Sequence, residues 1–354
     1  PSERDSHSMV AISKSEAFLF GGRQWVDGKT VALNDAYIFN VVTRTWRPVE
    51  VANPPSARYA HSLSIVGEEI IVFGGSNGEQ DFNDIYVLHL GQEPLSWRSL
   101  RPRVSTPAAH RGRPASSRGG RPTTSSGRGG GGGGGGGKTA SSVSSSGKGS
   151  TNATAARGPM GPVARFAHAT CVVGRKMYVF GGSTYVDSQF KKLKDFWCFD
   201  VDEEKWTQVR AAGDLPPSRC THTCVALGEN VVMFAGLSER KQLRELNVYS
   251  AKNNTWNRPV LKGRVPSERE CHAAIASNSR QMLVFGGYNG EQLLQDLHAY
   301  DFAKNMWSNL TFKGMEVPAR AFFSASLIGD HLVMFGGIDD TRKNFNDIYG
   351  FCFK

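Results

Sequence analysis

The hydrophobic pattern of this chain is a short apolar run that ends in two small residues and occurs six times. The runs are AFLFGG, IIVFGG, MYVFGG, VVMFAG, MLVFGG and LVMFGG. The last residue of each run is a glycine: Gly22, Gly75, Gly182, Gly236, Gly287 and Gly337. Their successive spacings are 53, 107, 54, 51 and 50 residues, so a single interval holds the length of an additional unit. Six copies at a nearly constant spacing predict a repeat architecture.

Other residues recur in register with these glycines. An Arg-x-x-His precedes five of the runs, and the sixth copy keeps the arginine but has Phe323 at the histidine position. The arginines are Arg4, Arg58, Arg165, Arg219, Arg269 and Arg320. After each run, an acidic residue opens an alternating, aromatic-rich segment. In five copies this segment leads to a tryptophan: Trp46, Trp97, Trp206, Trp256 and Trp307.

The alternation of polar and apolar residues predicts four short strands per copy. Strand a starts at the Arg-x-x-His, b ends at the small residues, c follows the acidic residue and d begins at the tryptophan. One four-stranded sheet cannot bury both faces, whereas sheets packed around an axis can. We therefore predict an all-β, six-bladed propeller. Its blade units are roughly 1–50, 51–100, 161–212, 213–262, 263–314 and 315–354.

The sixth unit has strands a, b and c but no tryptophan strand before Lys354. Pro1 to Arg4 are similar to Pro266 to Arg269, which follow a d strand. We therefore expect that a d strand just upstream of Pro1 in the parent protein completes this blade, since an open strand edge favours pairing.

The recurring glycines and tryptophans have a structural interpretation. Five copies have two glycines, whereas the fourth has Ala235 and Gly236. The first position therefore requires only a small side chain, while the second requires glycine. A positive φ, which glycine adopts freely, explains the second position. The tryptophans are predicted to fill the core between blades.

A period near 50 with a diglycine after an apolar strand, and with a downstream Tyr and Trp, resembles the kelch repeat. The segments PPSARYAH and PSERECH look like the branch that contains the Rab9 effector and the leucine-zipper-like kelch proteins. The resemblance covers all of the chain except residues 101–160. It implies a protein-binding scaffold or substrate adaptor with no catalytic activity and no cofactor.

A catalytic alternative exists within the same fold, because galactose-oxidase-like and specifier-like kelch proteins are metal-dependent enzymes. Neither ligand set can be matched to this chain residue by residue. Cys220, His222 and Cys224 alternate on one strand, as metal ligands can. However, His222 occupies a position that is histidine in five copies, which favours a role in the fold.

Antiparallel alternation places the b-to-c loops, the d-to-a loops and the start of strand a on one face. Aromatic residues and arginine at such a rim are typical of binding hot spots. The candidate partner-binding residues in these loops are Arg23, Trp25, Tyr185, Lys191, Lys192, Arg240, Lys241, Tyr288, Asp339 and Arg342.

The six arginines have two interpretations. They could satisfy backbone carbonyls and acidic neighbours between blades, which their recurrence in every blade favours, or some could bind carboxylate or phosphate groups of a partner peptide. The resemblance to kelch adaptors that hold acidic peptides supports the second. Asp5 and Glu270 follow Arg4 and Arg269, whereas aromatic residues follow Arg58 and Arg165. We therefore expect an acidic peptide to bind at Arg58 and Arg165, in blades two and three.

Residues 101–160 account for the net charge of +10, because they hold ten of the 42 basic residues and no acidic residue. The remaining 32 basic residues balance 32 acidic ones, so a basic propeller surface is not implied. This Gly-, Ser- and Arg-rich insertion is predicted to be disordered. Its two RGG pieces indicate a weak possibility of RNA binding. Gly132 to Thr139 match a P-loop pattern without the required strand and helix, so no nucleotide is expected.

The six cysteines show no disulfide framework, which favours reduced thiols in an intracellular protein, either cytoplasmic or nuclear. No apolar run has the length of a membrane span, so no membrane association is expected.

Overall fold

The computed structural model describes residues 1–105, 161–186, 189–311, 314 and 316–352. Every regular element within these ranges is a β-strand. Most of them belong to one unit, Pro1–Thr106 together with Pro159–Lys354, in which the strands form a six-bladed propeller. The predicted all-β propeller is therefore confirmed. Nowhere in the described ranges is there a helix that could cross a membrane.

The first three blades are built as the sequence repeat predicts. Blade one contains β1 (Ser8–Ala11), β2 (Glu16–Val26), β3 (Lys29–Asn40) and β4 (Thr45–Pro48). Blade two contains β5 (Ser62–Val66), β6 (Glu69–Phe73), β7 (Ile85–His89) and β8 (Trp97–Leu100). Blade three contains β9 (Arg103–Ser105), β10 (Ala169–Val173), β11 (Lys176–Phe180), the hairpin of β12 (Ser183–Val186) and β13 (Gln189–Lys192), β14 (Phe196–Asp200) and β15 (Lys205–Gln208).

The other three blades follow the same order. Blade four contains β16 (Ala212–Gly213), β17 (Thr223–Leu227), β18 (Asn230–Phe234), β19 (Leu246–Ser250) and β20 (Thr255–Asn257). Blade five contains β21 (Lys262–Gly263), β22 (Ala273–Asn278), β23 (Gln281–Tyr288), β24 (Leu293–Asp301) and β25 (Met306–Leu310). Blade six contains β26 (Ser324–Ile328), β27 (His331–Phe335) and β28 (Ile348–Cys352).

The a strands lie innermost, each beside the a strand of the next blade. Contacts run from β1 through β5, β10, β17, β22 and β26 and back to β1, so the ring is closed. Each a strand begins directly after the histidine position, not at the arginine, which is a small correction to the predicted start. Whether a further strand upstream of Pro1 completes blade six stays a prediction.

The segment after a d strand adds a short parallel strand to the following blade. β9 pairs in parallel with β15, β16 with β20 and β21 with β25. The sequence analysis assigned Arg103–Ser105 to the insertion, but these residues form β9. Blade three therefore includes residues that precede the insertion, because Val104 of β9 packs against the core that holds Trp206.

The phenylalanine before each pair of small residues joins consecutive blades. Phe73 of blade two packs against Trp206 and His168 of blade three, with ring centroids 5.0 and 5.1 Å apart. In the same way, Phe335 of blade six packs against Trp46 and His7 of blade one. The aromatic residues of the repeat therefore form one inter-blade core, as predicted for the tryptophans.

The two small residues at the end of each b strand have distinct conformations. The second residue, always glycine, has φ between +94° and +102°, which explains why no other residue occurs there. The first residue of each pair also has a positive φ. In blade four this residue is Ala235, and its φ of 58° lies in the left-handed region that alanine can enter. The N–H of the second glycine donates to the arginine carbonyl of the next blade, for example from Gly337 to Arg4.

Candidate protein-interaction site

The b-to-c loops and the segments that precede the a strands lie together, and we call this surface the loop face. In every blade, a residue just after the arginine pairs with a residue just after the glycines. These pairs are Asp5 with Arg23, Tyr59 with Ser76, Phe166 with Ser183, Cys220 with Leu237, Glu270 with Tyr288, and Ala321 with Ile338. The repeat thus fixes where each variable loop begins.

A ring of backbone hydrogen bonds supports the centre of the loop face. One residue per blade, two positions after the arginine, donates its N–H to the corresponding carbonyl of a neighbouring blade over 2.8 to 3.0 Å. The members are Ser6, Ala60, Ala167, Thr221, Cys271 and Phe322, and all have φ between 51° and 59°. Because a bulky residue rarely adopts this conformation, Phe322 is held at the centre by the ring.

The arginine ring of the repeat is structural. All six side chains are 0% exposed. Arg58 donates to both carboxylate oxygens of Asp84, at 2.6 and 2.9 Å, and to the Gly74 carbonyl oxygen. Arg165 makes the same contacts with Asp195 and Gly181. The expectation that Arg58 and Arg165 contact an acidic partner is therefore corrected, because both guanidinium groups are buried and paired within their own blades.

Blade four departs from this pattern. Arg219 donates a single hydrogen bond of 3.2 Å to Glu245, whose carboxylate also accepts one from Arg258. Burial lowers the pKa of Arg219 to about 10, against the raising effect of Glu245. This blade therefore has the weakest arginine–carboxylate contact of the ring.

The acidic residues after Arg4 and Arg269 do not neutralise those arginines. Asp5 accepts hydrogen bonds from Arg23 at 2.8 Å and from Asn344 at 2.7 Å. Glu270 accepts hydrogen bonds from Thr221 and Gln242, each at 3.0 Å. These carboxylates belong to the loop face, so the argument that placed an acidic ligand at blades two and three does not hold.

Three adjoining pockets make up a groove on the loop face. The first, about 750 Å³, lies against Arg23, Tyr59, Asp81, Phe166 and Tyr185. The second, about 370 Å³, shares Arg23 with the first and adds Trp25 and Phe322. The third, about 410 Å³, shares Phe322 and Arg342 with the second and adds Glu270, Tyr288 and Asp340. We call the three together the loop-face groove.

Six of the ten predicted loop residues line this groove: Arg23, Trp25, Tyr185, Tyr288, Asp339 and Arg342. Lys191, Lys192, Arg240 and Lys241 lie on loops of blades three and four but do not line its pockets. The Lys192 ammonium lies 4.9 Å from the centre of the Phe190 ring. The loop prediction treated the loops as equivalent, whereas only part of them line the groove.

Sequence reasoning missed several aromatic residues of the groove. Phe190, on β13, is 44% exposed and its ring lies 5.6 Å from that of Tyr185. Phe166 stacks on Tyr185 with ring centroids 6.2 Å apart, and its ring also lies 6.2 Å from that of Phe190, so the three rings form one group. Tyr185 and Phe190 are opposite each other in a short hairpin, and opposite residues in a hairpin share a face. Two aromatic residues at this spacing were the signal in the sequence that could have identified Phe190.

The groove carries an excess of negative charge. Its acidic residues are Asp5, Glu79, Asp81, Glu270, Glu291, Asp339 and Asp340, and its basic residues are Arg23 and Arg342. Burial alone would raise the pKa of Asp339, but hydrogen bonds from Thr341 and from the Lys343 N–H outweigh it and lower this pKa. Asp339 is therefore an anion at neutral pH.

The candidate metal ligands were also located. Cys220 is buried with its thiol near the Leu237 carbonyl, and His222 packs edge-on against Phe180. In the part of the chain that the structure describes, no three or more His, Cys, Asp or Glu residues are grouped to hold a metal ion. All six cysteines are free thiols.

The predicted disorder of the insertion, its RGG pieces and its P-loop match fall on residues outside the described ranges.

Comparison with known proteins agrees with this geometry. Residues 1–136 and 129–337 match the model of the KLHDC2/KLHL20/DRC7 Kelch-repeats domain. The chain is 27% identical to the leucine-zipper-like transcriptional regulator 1 homolog of Drosophila melanogaster, over 99% of this chain and 31% of that protein. It is 23% identical to acyl-CoA-binding domain-containing protein 4 of Arabidopsis thaliana, over 88% of this chain and 39% of the relative. It is 24% identical to human kelch domain-containing protein 3, over 96% of this chain and 79% of the relative.

The chain therefore spans less than half of the first two of these relatives and most of the third. Kelch propellers related to it are in general interaction modules without enzymatic activity. With six repeats in register and a family match over most of its length, this chain belongs to the KLHDC2/KLHL20/DRC7 kelch-repeat domain family.

Proposed function

We propose that this propeller is a non-catalytic scaffold or substrate-adaptor module that binds a partner protein in the loop-face groove. The observation that carries the proposal is the exposure of large aromatic residues at the groove. Trp25 is 62% exposed and Tyr185 is 60% exposed, although both lie in ordered hairpins. Tryptophan and tyrosine on a rigid support are the residues that dominate binding energy at protein interfaces.

The shape of the groove supports the same function. Its three pockets are open and continuous, and they draw on loops from five of the six blades. Adjoining pockets that share wall residues and have aromatic rings in their walls fit an extended protein segment better than a small substrate, which is usually enclosed in one pocket. We also propose an intracellular location, because the free thiols of blades three to six fit a reducing compartment.

The test is a comparison of partner capture by three forms of the full chain. The double variant Trp25→Ala/Tyr185→Ala removes both exposed aromatic anchors. Val42→Ala is the matched control, because Val42 is 75% exposed in the c-to-d turn on the opposite face. We expect proteins recovered by the wild type to be retained by Val42→Ala. The double variant should lose them, with affinity falling more than about 30-fold.

The proposal is wrong if the aromatic double variant, with an unchanged melting temperature, recovers the same proteins as the wild type. Direct titration of a recovered partner against each form then measures the loss. A partner that is lost only with Val42→Ala would place the binding site on the opposite face.

A further inference from the structure

We propose that the loop-face groove selects a basic segment of its partner, with arginine or lysine side chains held between carboxylates and aromatic rings. This inference rests on the proposed function and adds the chemistry of the partner. Its basis is a juxtaposition of charge and aromatic surface that occurs twice in the groove, on either side of Arg23.

Arg23 shows how the groove holds a guanidinium group. Its Nε donates to Asp5 at 2.8 Å, and its guanidinium carbon lies 4.9 Å from the centre of the Tyr59 ring and 5.9 Å from that of Phe322. Carboxylate and aromatic contacts of this type together stabilise arginine at interfaces. The chain's own arginine thus occupies a site of the kind that we propose for the partner.

The third pocket has the same combination of carboxylates and aromatic rings. No arginine is held there as Arg23 is held between Asp5 and Tyr59. Glu270, Glu291, Asp339 and Asp340 line it, together with the aromatic rings of Tyr288 and Phe322. The basic residue at this pocket is Arg342, which is exposed at its edge. Four carboxylates against a single guanidinium leave a net negative site, which attracts a cation and repels an acidic peptide.

The first pocket offers a second position of the same kind. Glu79 and Asp81 line it together with the aromatic group of Phe166, Tyr185 and Phe190. Asp81 accepts a hydrogen bond of 3.1 Å from the Tyr185 N–H, which fixes the carboxylate beside the rings. Because Arg23 lies between the two pockets and is already paired, a segment that crosses the groove would place separate basic side chains at its two ends.

The basic loops of blades three and four do not oppose this assignment. Lys191, Arg240 and Lys241 are exposed outside the groove pockets. Their charges extend into solvent, where counterions screen them within about 8 Å at physiological ionic strength. The carboxylates of the third pocket are closer to any side chain that enters it.

The test measures binding of fluorescein-labelled peptides to the full chain by fluorescence anisotropy. One nine-residue peptide alternates arginine and serine, a second has lysine at the arginine positions and a third has glutamate. We expect saturable binding of the arginine and lysine peptides and at least tenfold weaker binding of the glutamate peptide. The groove variant is Glu291→Gln/Asp340→Asn.

The matched control is Glu229→Gln/Asp330→Asn. It removes the same two charges from exposed a-to-b turns, on the face opposite the groove. We expect the groove variant to bind the arginine peptide at least tenfold more weakly and the control to stay within twofold of the wild type. Equal weakening by both variants would show a general charge effect and overturn the proposal. Tight binding of the glutamate peptide would overturn it as well.

The result of the peptide test can be told apart from the result of the partner-capture test of the proposed function. If Trp25→Ala/Tyr185→Ala abolishes capture of a partner while none of the basic peptides binds, the groove is an interaction site but its partner is not basic. If the basic peptides bind and the groove carboxylates control their affinity, the present inference stands whichever protein is captured.

Discussion

The arginine ring and the b-to-c loops occur in every blade, yet they differ in how much the six blades agree. In five blades, the buried arginine binds an aspartate in or directly before strand c through both carboxylate oxygens. The b-to-c loops that follow agree much less: blades two and five share the turn Asn-Gly-Glu-Gln, whereas blade one has Trp25 and blade three has Tyr185.

This contrast separates residues that build the fold from residues that can recognise a partner. A side chain that recurs in all six blades meets the same surroundings six times, so a contact inside the blade explains it. A side chain that occurs once cannot be required by the repeat. The ring of arginines is therefore a scaffold, and the aromatic residues that occur in single blades of the groove are candidates for binding.

The largest expected effect breaks the arginine ring. Arg58→Ala removes four hydrogen bonds and leaves the Asp84 carboxylate and the Gly74 carbonyl without their partner. Breaking a buried ion pair costs about 3–5 kcal/mol, and the lower end applies because Asp84 is 32% exposed. Chemical denaturation should show this loss in the free energy of unfolding.

The groove provides the control for that experiment. Glu79→Gln, in the first pocket, changes an exposed residue and should leave the free energy of unfolding within about 0.5 kcal/mol of the wild type. An Arg58→Ala protein as stable as Glu79→Gln would contradict the structural role of the ring.

The second small residue of each pair, which is glycine in all six blades, gives the next largest expected loss of stability. In Gly287→Ala, the new Cβ would lie 2.6 Å from the Glu270 carbonyl oxygen and 2.8 Å from the His272 Cβ, at a φ of 97°. We expect a loss of about 3 kcal/mol or more, since strain and steric overlap act together. Gly286→Ala, at a φ of 62° and with its new Cβ 2.9 Å from the Arg320 carbonyl oxygen, should cost less, about 1–2 kcal/mol, because Ala235 occupies the same position in blade four. Similar melting temperatures for the two variants would show that φ is not the cause.

The sequence predicted the scaffold better than the groove, for a physical reason. Periodicity gave the blades, the core tryptophans and the requirement for Gly287, because each of these follows from local conformation repeated six times. It misjudged Arg58 and Arg165 as partner-binding residues, because the aspartate that pairs with each arginine lies about 26 to 30 residues away, directly before strand c, and no local pattern shows that the two side chains meet. It missed Phe190 and Phe322, since their place in the groove depends on how neighbouring loops converge.

The histidine positions allow the comparison with the smallest expected effects, because five blades have histidine there and the sixth has Phe323. Three histidine rings hydrogen-bond to a hydroxyl of the preceding blade: His7 to Ser324, His168 to Ser62 and His272 to Thr223. By repeat position, Ala169 takes the place of that hydroxyl beside His222, and Ala273 takes it beside Phe323. Ser8 has the same position beside His61, but its hydroxyl donates to the His61 backbone carbonyl oxygen at 2.9 Å. The hydroxyl therefore pairs with the ring in three of the four blade junctions that have both groups.

These histidines make stability depend on pH. Burial, and then the charges of Arg219, His168 and His272, lower the pKa of His222 well below its ordinary value. The unfolded chain therefore binds more protons than the folded chain once the pH falls below about 6.5, and stability is lost as the pH falls. Between pH 6.5 and pH 5 this amounts to up to about 2 kcal/mol for each buried histidine.

His222→Phe and His168→Phe should each remove the contribution of one histidine to this pH dependence, but they should differ at pH 7.5. His222 has no hydroxyl partner, and Phe323 shows that phenylalanine is accommodated beside alanine, so His222→Phe should stay within about 1 kcal/mol of the wild type. His168→Phe leaves the buried Ser62 hydroxyl with only a 3.5 Å contact to the Phe73 carbonyl oxygen, which should cost about 1–3 kcal/mol. Unfolding free energies measured at pH 7.5 and pH 5 check both statements. Equal losses for the two variants at pH 7.5 would mean that the hydroxyl does not distinguish these blades, and an unchanged pH dependence would mean that the rings are not neutral in the fold.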